Sequence, residues 1–187
     1  MREIEVKLRV DVPQDVAALL FDHGFQVIHE RAFESNVLFD TPERALRADR
    51  RLLRVREFGG IATLTYKGTP EASLYKSREE LETEVADAEI VRLMIGRLGY
   101  LPVFRYEKYR TVYRQPGETA GLAVLDETPI GCWIELEGAP EWIDSNAARL
   151  GFSQMEYVTE SYGALWLTYC GEHGIESNDM VFGFDGA

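Results

Sequence analysis

Charged residues of like sign recur at every second position in this chain, and no other feature constrains its fold as much. In residues 3–8, Glu3, Glu5 and Lys7 alternate with Ile4, Val6 and Leu8. A period of two puts each set on its own face of a β-strand. Segment 51–58 sets Arg54 and Arg56 opposite Leu53 and Val55, and segment 61–67 sets Thr63, Thr65 and Lys67 opposite Leu64 and Tyr66. Segment 78–85 sets Arg78, Glu80, Glu82 and Glu84 opposite Leu81 and Val85. In 104–114, Lys108 and Arg110 align; in 131–137, Glu135 and Glu137 oppose Ile134 and Leu136. One such strand alone is ordinarily the solvated face of a sheet. The same design repeated along the chain predicts a closed antiparallel barrel with its charged faces turned inward. Helices would then cover the apolar outside.

Helical patterns lie between the strands. Pro13–Asp22 carries Val16, Leu19 and Leu20 on one face and stops at Gly24. Asp87 is placed to cap a second helix with Ile90, Leu93, Met94 and Leu98 as its apolar stripe and Gly99 as its end. Pro140 suits the first position of a third, ending near Gly151. Ser161 is placed to cap a fourth, running to about Glu172. These stripes predict core packing and nothing more. No linker or repeat divides the 187 residues, so a single domain over 1–187 is expected, of class α+β.

The bulk properties remove several functions. A net charge of −12 argues against a general nucleic-acid binder, whose surface must neutralise phosphates. It leaves room for one anionic ligand in a locally basic pocket, because a site depends on where the charges sit. No apolar run approaches the roughly 18 residues that span a bilayer, so no membrane partner is expected. The alternating start, MREIEVKLRV, does not read as a signal peptide, and a cytoplasmic protein is expected. Cys132 and Cys170 lack metal-ligand spacing and read as free thiols. His23, His29 and His173 form no zinc cluster. A homodimer is compatible with the sequence but not demanded by it.

The same charged segments carry a family resemblance. EIEVK at 3–7 matches the E-x-E-x-K signature of the CYTH superfamily, the triphosphate tunnel metalloenzymes. NVLFDTP at 36–42 resembles its N-x-x-F/Y-D-T segment, LRVRE at 53–57 its R-x-R strand and TLTYKG at 63–68 its T-x-K-G strand. SREELETEV at 77–85 resembles the R-x-E-x-E strand and EKYRTVY at 107–113 the K-x-R strand. Leu125 and Asp126 through WIELEG resemble the later aspartate and E-x-E strand, and SYGALW at 161–166 the closing S-Y helix. The matches run in collinear order along the chain. Where many members carry a lysine near the closing Ser-Tyr, this chain has Glu160 and Ser161.

The resemblance implies an eight-stranded tunnel that takes a small-molecule triphosphate with Mg²⁺ or Mn²⁺. It implies Glu3, Glu5 and Glu137 as metal ligands, with Asp126 and Glu135 contributing nearby. It implies Lys7, Arg54, Arg56, Lys67, Lys108 and Arg110 as phosphate binders. Arg78 and Arg105 are candidates to replace the missing lysine. Lys7, Glu80 and Glu82 are the catalytic candidates, the two glutamates ordering basic residues or holding a second metal or a water. The chemistry is coherent. A triphosphate carries about four negative charges, which arginine forks and lysine ammonium groups neutralise. Crowded carboxylates acquire a purpose when a hard divalent cation joins them to phosphate oxygens. Three functions fit such a tunnel: hydrolysis of a triphosphate, an adenylate cyclase releasing cyclic AMP and diphosphate, and a polyphosphate-binding module without turnover.

Overall fold

A computed structural model describes residues 2–71 and 73–183. Eight strands close into an antiparallel barrel: β1 (Arg2–Val10), β2 (Gln26–Asp40), β3 (Leu52–Phe58), β4 (Ile61–Lys67), β5 (Lys76–Val85), β6 (Leu101–Arg114), β7 (Gly121–Thr128) and β8 (Gly131–Gly138). Their order around the barrel is β1-β5-β4-β3-β2-β6-β7-β8, and β8 pairs back onto β1. Every charged alternating segment lies in a strand, and the charged faces turn inward as expected.

The outside is dressed by helices. Helices α1 (Pro13–Asp22) and α4 (Pro140–Arg149) lie over β1, β7 and β8. Val16 and Leu20 from α1 and Ile143 and Ala147 from α4 meet Val6, Leu8, Leu125, Ile134 and Leu136 in the largest apolar cluster. These are the residues that alternate with Glu3, Glu5, Lys7, Glu135 and Glu137, so one strand pattern builds core and lumen together. Gly121 and Gly138 pair across β7 and β8; a Cβ at Gly121 would collide with the Trp142 ring that lies on the sheet, and one at Gly138 with the Ala120 carbonyl. Leu8 is 0% exposed. Leu8→Ala is therefore expected to cost about 2–5 kcal/mol, read as a lower denaturant midpoint with an unchanged slope.

The helix boundaries match the sequence reading, but one face does not. Helix α3 (Ala88–Arg97) is capped by Asp87, which accepts the Ile90 N–H at 3.0 Å. The expected stripe of Ile90, Leu93, Met94 and Leu98 faces outward, with Leu98 at 77% exposure. Ala88, Val91 and Ile95 pack against β3 and β4 instead. Their spacing of three and four is an equally good helical stripe, and smaller side chains let the helix sit close on the sheet. A short helix α2 (Ala45–Ala48) had no sequence signal of its own. Asp40 organises it by accepting the backbone N–H groups of Thr41, Leu46 and Arg47, so the aspartate of NVLFDTP has a structural task. Helix α5 (Tyr162–His173) begins at Ser161, which accepts the Ala164 N–H. No helix among the described residues is long and apolar enough to cross a membrane.

Candidate functional site

The lumen contains two connected cavities. The larger, about 840 Å³, opens at the end where β1 starts and β8 finishes. The smaller, about 80 Å³, lies toward the N-terminal end of α5. Glu3, Arg56, Lys67, Arg110 and Glu137 line both. Glu80 and Glu82 face the larger cavity, and Lys7, Arg54, Arg78, Lys108 and Glu135 face the smaller. The side chains expected to converge do converge.

Strand register sorts the carboxylates into two kinds. Glu5 lies opposite Glu137 across β1 and β8, with Glu3 one pleat further along β1. Glu3, Glu5 and Glu137 each offer a carboxylate oxygen within 4.8 Å of the others. Asp126 and Glu135 lie outside that group. Asp126 accepts from Lys108 Nζ, Arg110 Nε and Arg110 Nη2, all at 2.7 Å, and from the Tyr162 hydroxyl at 2.8 Å. Glu135 lies 3.3 Å from Lys7 Nζ and also accepts from Arg110. Asp126 and Glu135 were expected near the metal. The register ties both into this cation network, Asp126 beside Arg110 and Glu135 beside Lys7, and Glu135 still lines the smaller cavity with Glu3, Glu5 and Glu137.

The cations are held equally firmly. Lys7, 1% exposed, donates to Glu5 at 3.0 Å under the Tyr162 ring. Lys67 pairs with Glu3 and with Glu80, the latter at 3.2 Å. Arg54 donates to the Tyr106 hydroxyl and to Thr65, and Thr65 donates to Glu82 at 2.6 Å. Arg78 contacts Glu3 at 3.4 Å and lines the smaller cavity, which Ser161 and Tyr162 also line. Arg105 does not. It is an odd-numbered residue on β6, whereas Lys108 and Arg110 are on the even, lumenal parity of that strand's neighbours at 104 and 106. Its side chain pairs with Glu107 outside the barrel and is 52% exposed.

The ionisation of these carboxyl groups follows from their partners. Burial disfavours ionisation of Glu5, but Lys7, Lys76 and Lys67 outweigh it and hold the group well below the carboxylate range. Burial likewise opposes Glu135, and Lys7, Lys108 and Arg110 bring it well down. Glu137 goes the other way. Burial, with Glu135 and Glu5 close by, pushes it up to about 7, and among the described residues it makes no hydrogen bond or ion pair. Glu3 is raised too, by burial and by Glu5. Two raised carboxylates beside a third, all hard oxygen donors, fit a divalent cation well.

Sequence reasoning missed three lumenal groups. Glu34 and Asn36 on β2 are both 0% exposed, and their alternation with Val37 and Phe39 was the available signal. Lys76 continues the parity of Arg78 and Glu80 two residues earlier than the strand was expected to begin. It donates to Glu5 at 2.5 Å, and burial pushes it down to about 8 despite that partner.

The chain matches the family described as the CYTH domain over residues 1–148. A Methanocaldococcus jannaschii protein named as a candidate adenylate cyclase is 31% identical over 137 residues, covering 73% of this chain and 77% of that protein. The structure of a candidate adenylate cyclase from Vibrio parahaemolyticus superposes with a TM-score of 0.78 at 22% identity, covering 88% of this chain and 97% of that one. A Hippeastrum protein, described as a candidate adenylyl cyclase with a dominant triphosphatase activity, superposes with a TM-score of 0.62 at 21% identity over 90% of this chain and 96% of that one. The two structural likenesses speak for the fold alone.

Proposed function

Because this chain belongs to the CYTH domain family, we propose that it binds a triphosphate together with Mg²⁺ or Mn²⁺ in its tunnel and hydrolyses it. One observation carries the reading: the Glu3–Glu5–Glu137 cluster lines the smaller cavity together with Arg56, Lys67 and Arg110, and all but Glu5 of these also line the larger one. A polyanion and a cation-hungry carboxylate cluster need each other there. Glu3, Glu5 and Glu137 would hold the divalent cation, which supplies charge neutralisation at the phosphate oxygens.

The chain's own groups do the rest. Arg56, Lys67 and Arg110 hold the phosphates and stabilise the charge that builds on their oxygens in the transition state. Lys7, clamped by Glu5 and Glu135, sets the deep end of the phosphate path. Glu82 reaches the larger cavity with its orientation fixed by Thr65. It orients the attacking water, whose oxygen bonds to the terminal phosphorus as the bridging P–O bond breaks. Orthophosphate and diphosphate leave. Lys67→Ala is expected to lower kcat/KM by about 10- to 100-fold, the worth of a charge-assisted hydrogen bond of about 1.5–3 kcal/mol. Arg105→Ala, outside the barrel, should leave kcat/KM unchanged. Steady-state kinetics on both variants checks the placement.

A second reading, adenylate cyclase, is favoured by the wall of the larger cavity. Phe58, Val112, Leu122 and Val124 line it and offer an apolar wall for a nucleoside beside the phosphates. A panel of triphosphates with Mg²⁺ or Mn²⁺, assayed together for orthophosphate, diphosphate and cyclic AMP, separates the readings. Orthophosphate supports hydrolysis, and cyclic AMP with diphosphate supports the cyclase. Binding without any product would leave a non-catalytic module.

A further inference from the structure

Strand β2 is the seam between β3, which carries Arg54 and Arg56, and β6, which carries Lys108 and Arg110. Asn36 lies opposite Arg56 on β3, and Glu34 lies opposite Lys108 on β6. Glu34 is 0% exposed and lines neither cavity. Its Oε1 accepts the Asn36 Nδ2 amide at 2.9 Å and lies 3.4 Å from Lys108 Nζ and 3.7 Å from Arg56 Nε. Its Oε2 lies 3.5 Å from Arg110 Nε. One carboxylate thus stands behind three cations drawn from both sides of the seam.

The three do not depend on it equally. Lys108 and Arg110 have a second anchor in Asp126. Arg56 has none: among the described residues Glu34 is the one carboxylate within salt-bridge distance of it. The contact is made through Nε of the guanidinium, at 3.7 Å a charge contact without a hydrogen bond. Its two terminal nitrogens make no hydrogen bond among the described residues, while the residue lines both cavities.

We propose that Glu34, oriented by Asn36, is a positioning residue that aims the Arg56 fork into the cavity, so that the grip on phosphate depends on a buried carboxylate that never touches it. The inference rests on the phosphate-binding reading of the tunnel. It also makes a prediction opposite in sign to simple Coulomb attraction. Removing a negative charge close to a polyanion site should by charge alone tighten binding. If Glu34 acts by aiming Arg56, its removal weakens binding, because an unheld guanidinium loses its bidentate geometry.

The test is a double-mutant cycle on the full chain, with calorimetric titration of inorganic tripolyphosphate in Mg²⁺. Wild type, Glu34→Gln, Arg56→Ala and the double variant are compared, each checked for a native melting transition. Glu34→Gln is expected to weaken binding about tenfold, and Arg56→Ala should cost little more in its presence. Unchanged or tighter binding by Glu34→Gln overturns the proposal, as does full additivity of the two losses. Should Glu34→Gln fail to fold, Asn36→Ala takes its place in the cycle. It removes the amide that orients Glu34 without changing charge, and the same non-additivity with Arg56→Ala is expected. Wild type that fails to bind tripolyphosphate sinks the phosphate reading and this inference together; tight wild-type binding with additive losses sinks the inference alone.

Discussion

Glu137→Gln is expected to lower Mg²⁺-dependent turnover about 100-fold or more, since even outer-shell changes at metal sites cost about 10- to 100-fold, while the metal-free protein becomes more stable at pH 8. The two halves of this result have one cause. Glu137 makes no ion pair or hydrogen bond among the described residues, and burial with Glu135 and Glu5 raises its pKa to about 7. A carboxylate raised in the folded state contributes stability below its unfolded value near 4.5, and that contribution is lost as pH rises through about 7. Wild type without metal should therefore lose stability between about pH 4.5 and pH 7 through this group, and Glu137→Gln should not. The neighbouring Glu5 makes the contrast. Glu5→Gln would strand buried Lys76 and leave Lys7 with Glu135 alone, and breaking a buried pair costs about 3–5 kcal/mol. Melting curves at pH 5 and pH 8, with chelator and with Mg²⁺, read both effects. Full turnover by Glu137→Gln, or a metal-free melting temperature below wild type at pH 8, would remove Glu137 from the ligand set.

The contrast between those two glutamates also marks the limit of what the sequence reveals. Alternation alone put Glu3, Glu5 and Lys7 on one face and Val6 and Leu8 on the other, because a strand's period of two leaves no choice. The barrel and its charged lumen were legible for that reason. What alternation cannot supply is register. Glu5 and Glu137 are cross-strand neighbours whose oxygens meet that of Glu3, and Glu135, opposite Lys7, lies outside that group; all three look alike in a run of charged alternation. Asp126 is likewise assigned by its place opposite Arg110. Arg105 illustrates a different error, since its parity was readable and excluded it from the lumen. Glu34 sits in a strand whose bulges interrupt the alternation between Val27 and Ala32, which blurred the pattern just before the informative residues. Helix α3 carries apolar residues on both faces, so periodicity alone gave two answers and the bulkier stripe was the wrong one.

Tripolyphosphate with Mg²⁺ should raise the melting temperature by about 5–10 °C at a hundredfold excess over Kd. Only the folded barrel brings Arg56, Lys67 and Arg110 to the same cavity as Glu3, Glu5 and Glu137. A ligand that needs both sets binds the native state alone and stabilises it by about 2.7 kcal/mol at that excess. For a chain of this length each kcal/mol is worth roughly 2–4 °C. The two components should also depend on each other. Tripolyphosphate alone meets the cations but also the unneutralised carboxylate cluster, and Mg²⁺ alone meets the cluster but also Lys67 and Arg110. Their joint shift should therefore exceed the sum of the separate shifts. Orthophosphate reaches only a fraction of the cations and should give a small shift at equal concentration. Lowering the pH below about 7 should shrink the joint shift, as protons compete for Glu137. Differential scanning fluorimetry with each component alone and together reads these terms. A joint shift matched by orthophosphate or sulfate would show general anion binding, and the tunnel would then be a charged barrel without a triphosphate site.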